Sequence, residues 1–417
     1  MNPNLAALHP YPFEKLAHLK HGIVAPKNKA HIALSMGEPQ HATPEFITSA
    51  LVANLNGLAN YPTTKGLPEL RSTIAQWLSN RFAIPASSLN PETQILPVNG
   101  TREALFSFAQ CVIDPAERPL VLMPNPFYQI YEGAALLAGA QPYFLNTLAI
   151  NDYLPDFDSV PTEVWQRCQL LYICSPGNPS GAIMPLTTLQ HLIELAQRYD
   201  FIIASDECYS ELYADENNPP PGLLQAAFAM GNTQFERCVV FHSLSKRSNV
   251  PGLRSGFVAG DARILQQYLQ YRTYHGCAMP VPTQHASIKA WSDETHVQAN
   301  RDLYREKFTR FIDILKDGCV ISRPPASFYI WLQTPTGASL HPDHSSGLSL
   351  GTVSDTLFAQ QLYALENITV LPGSYLSREF NGVNPGAQHV RIALVAPLAE
   401  CTTAAERIKN FLTTLTS

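Results

Sequence analysis

An α/β architecture, a mostly parallel sheet covered by helices with a smaller α+β unit behind it, is what this 417-residue sequence predicts. Three observations carry the prediction. Apolar runs of strand length recur between residues 95 and 243 with little alternation, as in strands buried on both faces. Helix-length amphipathic stretches separate them. Around Gln284 the character changes, and sparser strands follow a long polar-amphipathic stretch.

The expected strands are Ile95–Val98, Leu120–Met123, Pro142–Leu145, Leu170–Cys174, Phe201–Asp206 and Val239–Ser243. Helical patterns cover Thr101–Cys111, Tyr128–Ala138 and Leu186–Tyr199. Alternation of this kind puts functional residues at the carboxyl ends of the strands. From Ala286 to about Lys316 one long helix is expected, then strands Phe328–Leu332, Thr369–Leu371 and Val390–Ala393 and a final helix Thr402–Thr414. The Pro-, Gly-, Ser- and His-rich stretch Thr334–Gly351 and the PPP-bearing Glu216–Gly222 read as surface loops.

Composition removes whole classes of function. Apolar residues make up 45% and charged residues 15%, enough for a core and too little charge for a disordered chain. With 28 Lys+Arg against 34 Asp+Glu the net charge is −6, a poor balance for wrapping nucleic acid. No apolar run reaches the roughly 18–20 residues of a membrane span, and no basic region followed by an apolar one marks a secretory signal. The eight cysteines form no CxxC and no cluster, as expected of core or near-core thiols in a reducing cytoplasm and not of a disulfide frame or zinc site. No metal is expected. A GxSxG match at Gly347–Gly351 lies in the polar loop, without the buried strand a nucleophile elbow needs. His341 and His344, in the same loop, read as solvated.

Four segments carry chemistry. Gly100-Thr101-Arg102 follows a strand and opens a helix, where free N–H groups make a phosphate site, although an ordinary helix cap reads the same way. Ser243, Ser245 and Arg254 bring hydroxyls and a guanidinium to one end of another strand, and Lys246 stands between them. A lysine aimed at an anchored phosphate points to pyridoxal 5′-phosphate (PLP), held through a Schiff base. Asp206, ending an apolar strand, suits the pyridine nitrogen. Tyr209 and Asn178 suit the phenolic oxygen, and Tyr128 a stacking face, each also readable as an ordinary turn, cap or core residue.

The ordered set SPGNPSG, DECY, SLSK and PGLRSG resembles the fold-type I PLP-dependent aminotransferases of the aspartate-aminotransferase superfamily, over nearly the whole chain. The resemblance implies a large PLP-binding domain over residues 46–284 and a small domain from 1–45 with 285–417. It implies that Lys246 is the Schiff-base lysine and general base, Asp206 the pyridinium partner, Tyr209 and Asn178 the contacts to the phenolic oxygen, and Tyr128 the stacking ring. Gly100, Thr101, Arg102, Ser243, Ser245 and Arg254 would form the phosphate cup, Arg102 through its backbone. Tyr61 would reach the partner subunit's site, implying a homodimer with shared active sites. Arg391, Gly37 and Asn178 would hold the substrate.

With Arg391 holding the α-carboxylate and Lys246 as base, the Cα–H bond is the one favoured for cleavage, so transamination is expected. A C–S lyase would share almost every residue. A transcriptional regulator of this fold needs an added DNA-binding domain, and the chain before Gly37 is no basic helix-turn-helix. The flanking LHPYPFEKL, YPTTKGLPELRSTIAQWL, PNPFYQIYEGAALLAGAQP and SLSKRSNVPGLRSGF resemble the N-succinyldiaminopimelate branch of the family. That branch implies N-succinyl-diaminopimelate and 2-oxoglutarate/glutamate as substrates. General aspartate, alanine or aromatic donors remain alternatives. Lys15, Lys27, Lys29, Arg272 and His275 are candidates for the succinyl end, although each reads more readily as a solvated surface residue.

Overall fold

The apolar runs between residues 95 and 260 pair into one seven-stranded sheet in the computed structural model, which describes residues 1–335 and 353–416. The strands in chain order are β1 (Ile32–Ala33), β2 (Ile95–Val98), β3 (Leu120–Asn125), β4 (Gln141–Asn146), β5 (Cys168–Cys174), β6 (Ile202–Asp206), β7 (Cys238–Ser243), β8 (Gly256–Gly260), β9 (Tyr329–Gln333), β10 (Ile368–Thr369), β11 (Leu371–Pro372) and β12 (His389–Ala393). The large sheet has the order β2-β8-β7-β6-β5-β3-β4. β8 runs antiparallel to both neighbours and the other pairings are parallel, so the carboxyl ends of β2 to β7 share one edge. β2, β3, β7 and β8 are buried along their full length, which accounts for their unalternated apolar sequences.

The helices are α1 (Pro12–Lys20), α2 (Glu45–Ala53), α3 (Pro68–Phe82), α4 (Thr101–Val112), α5 (Gln129–Leu137), α6 (Thr162–Arg167), α7 (Leu186–Tyr199), α8 (Leu223–Ala229), α9 (Leu244–Arg247), α10 (Ala262–His275), α11 (Val281–Trp291), α12 (Thr295–Leu315), α13 (Asp355–Glu366) and α14 (Leu398–Thr416). Leu189, Leu192, Ile193 and Ala196 of α7 recur at helical spacing and bury one face against the sheet core. One cluster of apolar side chains from α3, α7, α8 and α11 covers one face of the large sheet, and a second, with α4, α5 and α10, covers the other. A separate cluster joins α12, α13 and α14 to the three-stranded antiparallel sheet β11-β12-β9.

Two expectations are corrected. The long helix over 286–316 is two helices, broken at residues 292–294. Arg247, 1% exposed, binds the carbonyls of Ala290 (2.6 Å) and Asp293 (3.2 Å), and Trp77 donates to Glu294 (2.9 Å), so the break is fixed from outside. The single strand expected over 369–371 is split. β10 pairs with β1, and β11 joins the antiparallel sheet. β8 was not anticipated, because its glycine-bounded GFVAG is short and mixed in size. The greater part of the loop expected over 334–351, with His341, His344 and the Gly347–Gly351 match, lies outside the described residues.

Candidate active site

Strand ends meet the rest of the chain at a cavity of about 600 Å³, within the size range of cofactor sites. Thr101 and Arg102 follow β2, Tyr128 follows β3, and Asn178 follows β5. Asp206 with Tyr209, and Ser243, Ser245 and Lys246, stand at the ends of β6 and β7. Arg254 precedes β8, while Gly37 and Arg391 close the cavity from the N-terminal segment and β12. Gly100 lies just beneath, at φ +82, where a side-chain carbon would run into the Arg254 guanidinium, so only glycine suits the turn.

Asp206 is 4% exposed. Burial raises its pKa, opposed by hydrogen bonds from Cys208 and from the Tyr131 hydroxyl, which donates to Oδ2 at 2.6 Å. A carboxylate buried here calls for a cation beside it if it is to stay charged. The Lys246 ammonium donates to the Gly37 carbonyl at 2.5 Å, and desolvation lowers its pKa to about 8. Ser243 caps α9 by accepting from the Ser245 N–H at 3.1 Å, and its hydroxyl donates to Ser245 Oγ at 2.9 Å. Arg391 donates to Asn178 Oδ1 (3.0 Å) and the Ser35 carbonyl (2.8 Å), and it stacks 4.4 Å over the Tyr329 ring. Its Nε is buried without a partner, a donor waiting for an anion.

The sequence assigns Arg102 a backbone contact. Its side chain also lines the cavity, donating to the Tyr128 hydroxyl (2.7 Å) and the Tyr11 hydroxyl (3.2 Å). Tyr61 is fully exposed and does not line the cavity of its own chain. None of the five candidates for the succinyl end lines it either. Arg272 is fully buried and held by both oxygens of Glu103 at 2.8 Å, and Lys29 pairs with Glu366 at 2.6 Å, so both cations are already neutralised. Sequence reading missed Tyr11, Phe13, Glu38, Tyr131, Cys208 and Tyr329 in the wall. The N-terminal pair sits in the subfamily-like LHPYPFEKL, Tyr131 in PNPFYQIYEGAALLAGAQP and Cys208 in DECY, so those motifs were the available signal. Tyr329, in a continuous apolar strand, carried none.

The residues suit PLP. A donor-rich cup for a dianion, a guanidinium with one unpaired N–H for a carboxylate, a buried carboxyl for a pyridinium and a partly neutral lysine border one cavity. The family model described as aminotransferase class I and II matches residues 29–408, so the chain belongs to that PLP-dependent family. Among individual proteins, it is 32% identical over 97% of both chains to LL-diaminopimelate aminotransferase of Nitratidesulfovibrio vulgaris strain Hildenborough. It is 49% identical to the crystal structure of an aminotransferase from Neisseria meningitidis Z2491, with TM-score 0.91 over 99% of this chain and 100% of that one. The aminotransferase AspB from Helicobacter pylori 26695 is 36% identical, with TM-score 0.86 over 97% and 99%.

Proposed function

We propose that this aminotransferase moves the α-amino group of a donor bearing a remote carboxylate to 2-oxoglutarate, and that the donor is N-succinyl-LL-2,6-diaminopimelate. The observation that carries the acidic tail is Arg102, whose guanidinium lines the same cavity as Arg391 and is held there by Tyr11 and Tyr128. One arginine takes the α-carboxylate and the other the far end, so one site serves both the donor and 2-oxoglutarate.

Bound PLP supplies an electron-withdrawing ring that stabilises charge developing at the substrate Cα. Lys246 would anchor it covalently, Asp206 would sit against the ring nitrogen, and Ser243, Ser245, Arg254 and the first N–H groups of α4 would take the phosphate. Tyr209 and Asn178 would face the phenolic oxygen, and Tyr128 the ring. Arg391 fixes the donor carboxylate, and with it the direction of the Cα–H bond. Lys246, uncharged for part of the time at neutral pH, would take that proton from Cα and hold it on the face of the cavity where it is needed for its return. Over the full cycle the donor exchanges its amino group for a water oxygen and 2-oxoglutarate exchanges its oxo oxygen for that amino group, so no net water or ammonia is consumed or released. The same residues would serve a C–S lyase, so the product pattern belongs to the test.

A second reading has its own support. The 32% identical relative is named for LL-diaminopimelate itself, and Glu38, in the cavity wall, would suit a free distal ammonium better than a succinyl group. The experiment is a donor panel with 2-oxoglutarate: N-succinyl-LL-diaminopimelate, LL-diaminopimelate, aspartate, alanine and an aromatic amino acid, compared by kcat/KM. The succinylated donor leads if the proposal is right. A lead for LL-diaminopimelate selects the second reading, and a lead for aspartate or an aromatic donor removes both. Pyruvate and ammonia from cystathionine, formed faster than any transfer, would establish the lyase. All eight cysteines are unpaired, which supports a cytoplasmic setting.

A further inference from the structure

Tyr329 joins three parts of the site that the proposed chemistry treats separately. It lies on β9, is 2% exposed, and turns its ring into the cavity wall. The Arg391 guanidinium stacks 4.4 Å above that ring. The phenol tip fills the space beside Gly37, where any side-chain carbon would strike the hydroxyl. The hydroxyl itself lies 3.0 Å from the hydroxyl of Tyr209, with both rings buried and packed edge to face at 5.7 Å.

Each phenol has one proton to donate. In the proposed function the Tyr209 proton goes to the cofactor's phenolic oxygen, so the proton between the two rings must come from Tyr329. We infer that Tyr329 is a positioning residue that donates to the Tyr209 hydroxyl, aims the Tyr209 proton at the cofactor, and carries the carboxylate-binding Arg391 on its ring. A hydroxyl that accepts one hydrogen bond is polarised into a better donor of the next. Loss of the Tyr329 hydroxyl therefore weakens the Tyr209 contact while its ring still supports Arg391.

The inference rests on the proposed role of Tyr209, and the test separates the two. The holoenzyme, Tyr209→Phe, Tyr329→Phe and the double variant are titrated by the visible absorbance of the bound cofactor. Circular dichroism and cofactor content report the fold. A donor to the phenolic oxygen favours its ionised form, so removing it moves the absorbance midpoint to higher pH. Tyr209→Phe should raise the midpoint clearly and Tyr329→Phe by less, roughly half a pH unit. The double variant should match Tyr209→Phe alone, because Tyr329 acts through Tyr209. Tyr329→Phe should also lower kcat with KM for the amino donor unchanged, whereas Tyr329→Leu, which removes the platform under Arg391, should raise KM as well. An unmoved midpoint in Tyr329→Phe beside a raised one in Tyr209→Phe overturns the inference alone, as do additive shifts in the double variant. An unmoved midpoint in Tyr209→Phe overturns the role given to Tyr209, and the inference with it.

Discussion

Burial strips Lys246 of its water, which is why its pKa falls to about 8. At pH 7 roughly a tenth of the amine is then neutral, against well under a thousandth for a solvated lysine. Capture of added PLP by the apoprotein should therefore accelerate as pH rises from 7 through 8 and level off near 9, followed by stopped-flow absorbance. Lys246→Ala should leave no borohydride-fixable adduct on the protein. A rate that stays flat between pH 7 and 9 would argue against a depressed lysine. Asp206→Asn keeps the size of the side chain and its contact with Tyr131 but removes the anion. It should retain bound PLP while turnover drops about 10²–10³-fold, the scale of losing one aimed electrostatic partner. Near-normal turnover would show that Asp206 plays no part in the chemistry.

At the level of elements, α12 carries a second unwatered lysine. Lys307 is 3% exposed, donates to the Val395 carbonyl at 3.2 Å, and desolvation lowers its pKa to about 8. The unfolded chain binds this proton up to about pH 10.4, the folded chain only up to about 8, so the cost to stability is full below 8 and fades as pH rises between the two values. Lys307→Met should raise the Tm at pH 7 by about 1–2 °C per kcal/mol in a chain of this size, and the gain should shrink toward pH 10. A gain independent of pH would assign the effect to packing. The same elements mark how far the sequence could be read. β2, β5, β6 and β7 were legible because strands buried on both faces must be continuously apolar, and Lys246, Asp206 and Asn178 were legible because they stand where those strands stop. The break between α11 and α12 was not, because it depends on Arg247 and Trp77, far away in sequence. The side-chain role of Arg102, read from sequence only as a backbone contact, and the whole of Tyr329 escaped because helix or strand position says nothing about which cavity a side chain enters.

On the scale of the whole molecule, Val52, Leu55, Leu58 and Tyr61 expose apolar surface along and after α2, and Tyr274 does so at the end of α10. A second copy of the chain would cover such a surface, and the proposed homodimer gives Tyr61 a place in the neighbouring site. Mixing inactive Tyr61→Ala and Lys246→Ala proteins should then restore activity in hybrids, each with one intact site, once mass spectrometry confirms subunit exchange. Exchange without recovered activity would refute sharing. The pairing of β2 with β8 bears on the order in which the chain can mature. Val98, just before the Gly100 turn, lies opposite Gly256, just after Arg254, so two parts of the proposed phosphate cup, the Gly100 turn and Arg254, are separated by about 150 residues of chain. A ribosome adding roughly 5–20 residues per second needs on the order of 10–30 s to cross that interval. Until it has, β2 lacks β8, its neighbour in the large sheet among the described residues, and a nascent chain ending before Arg254 lacks the guanidinium proposed for the cup. A PLP held by this proposed cup would enter late, after the early sheet, so cofactor shortage should leave the rate of chain folding unchanged while lowering the fraction of finished protein that is active.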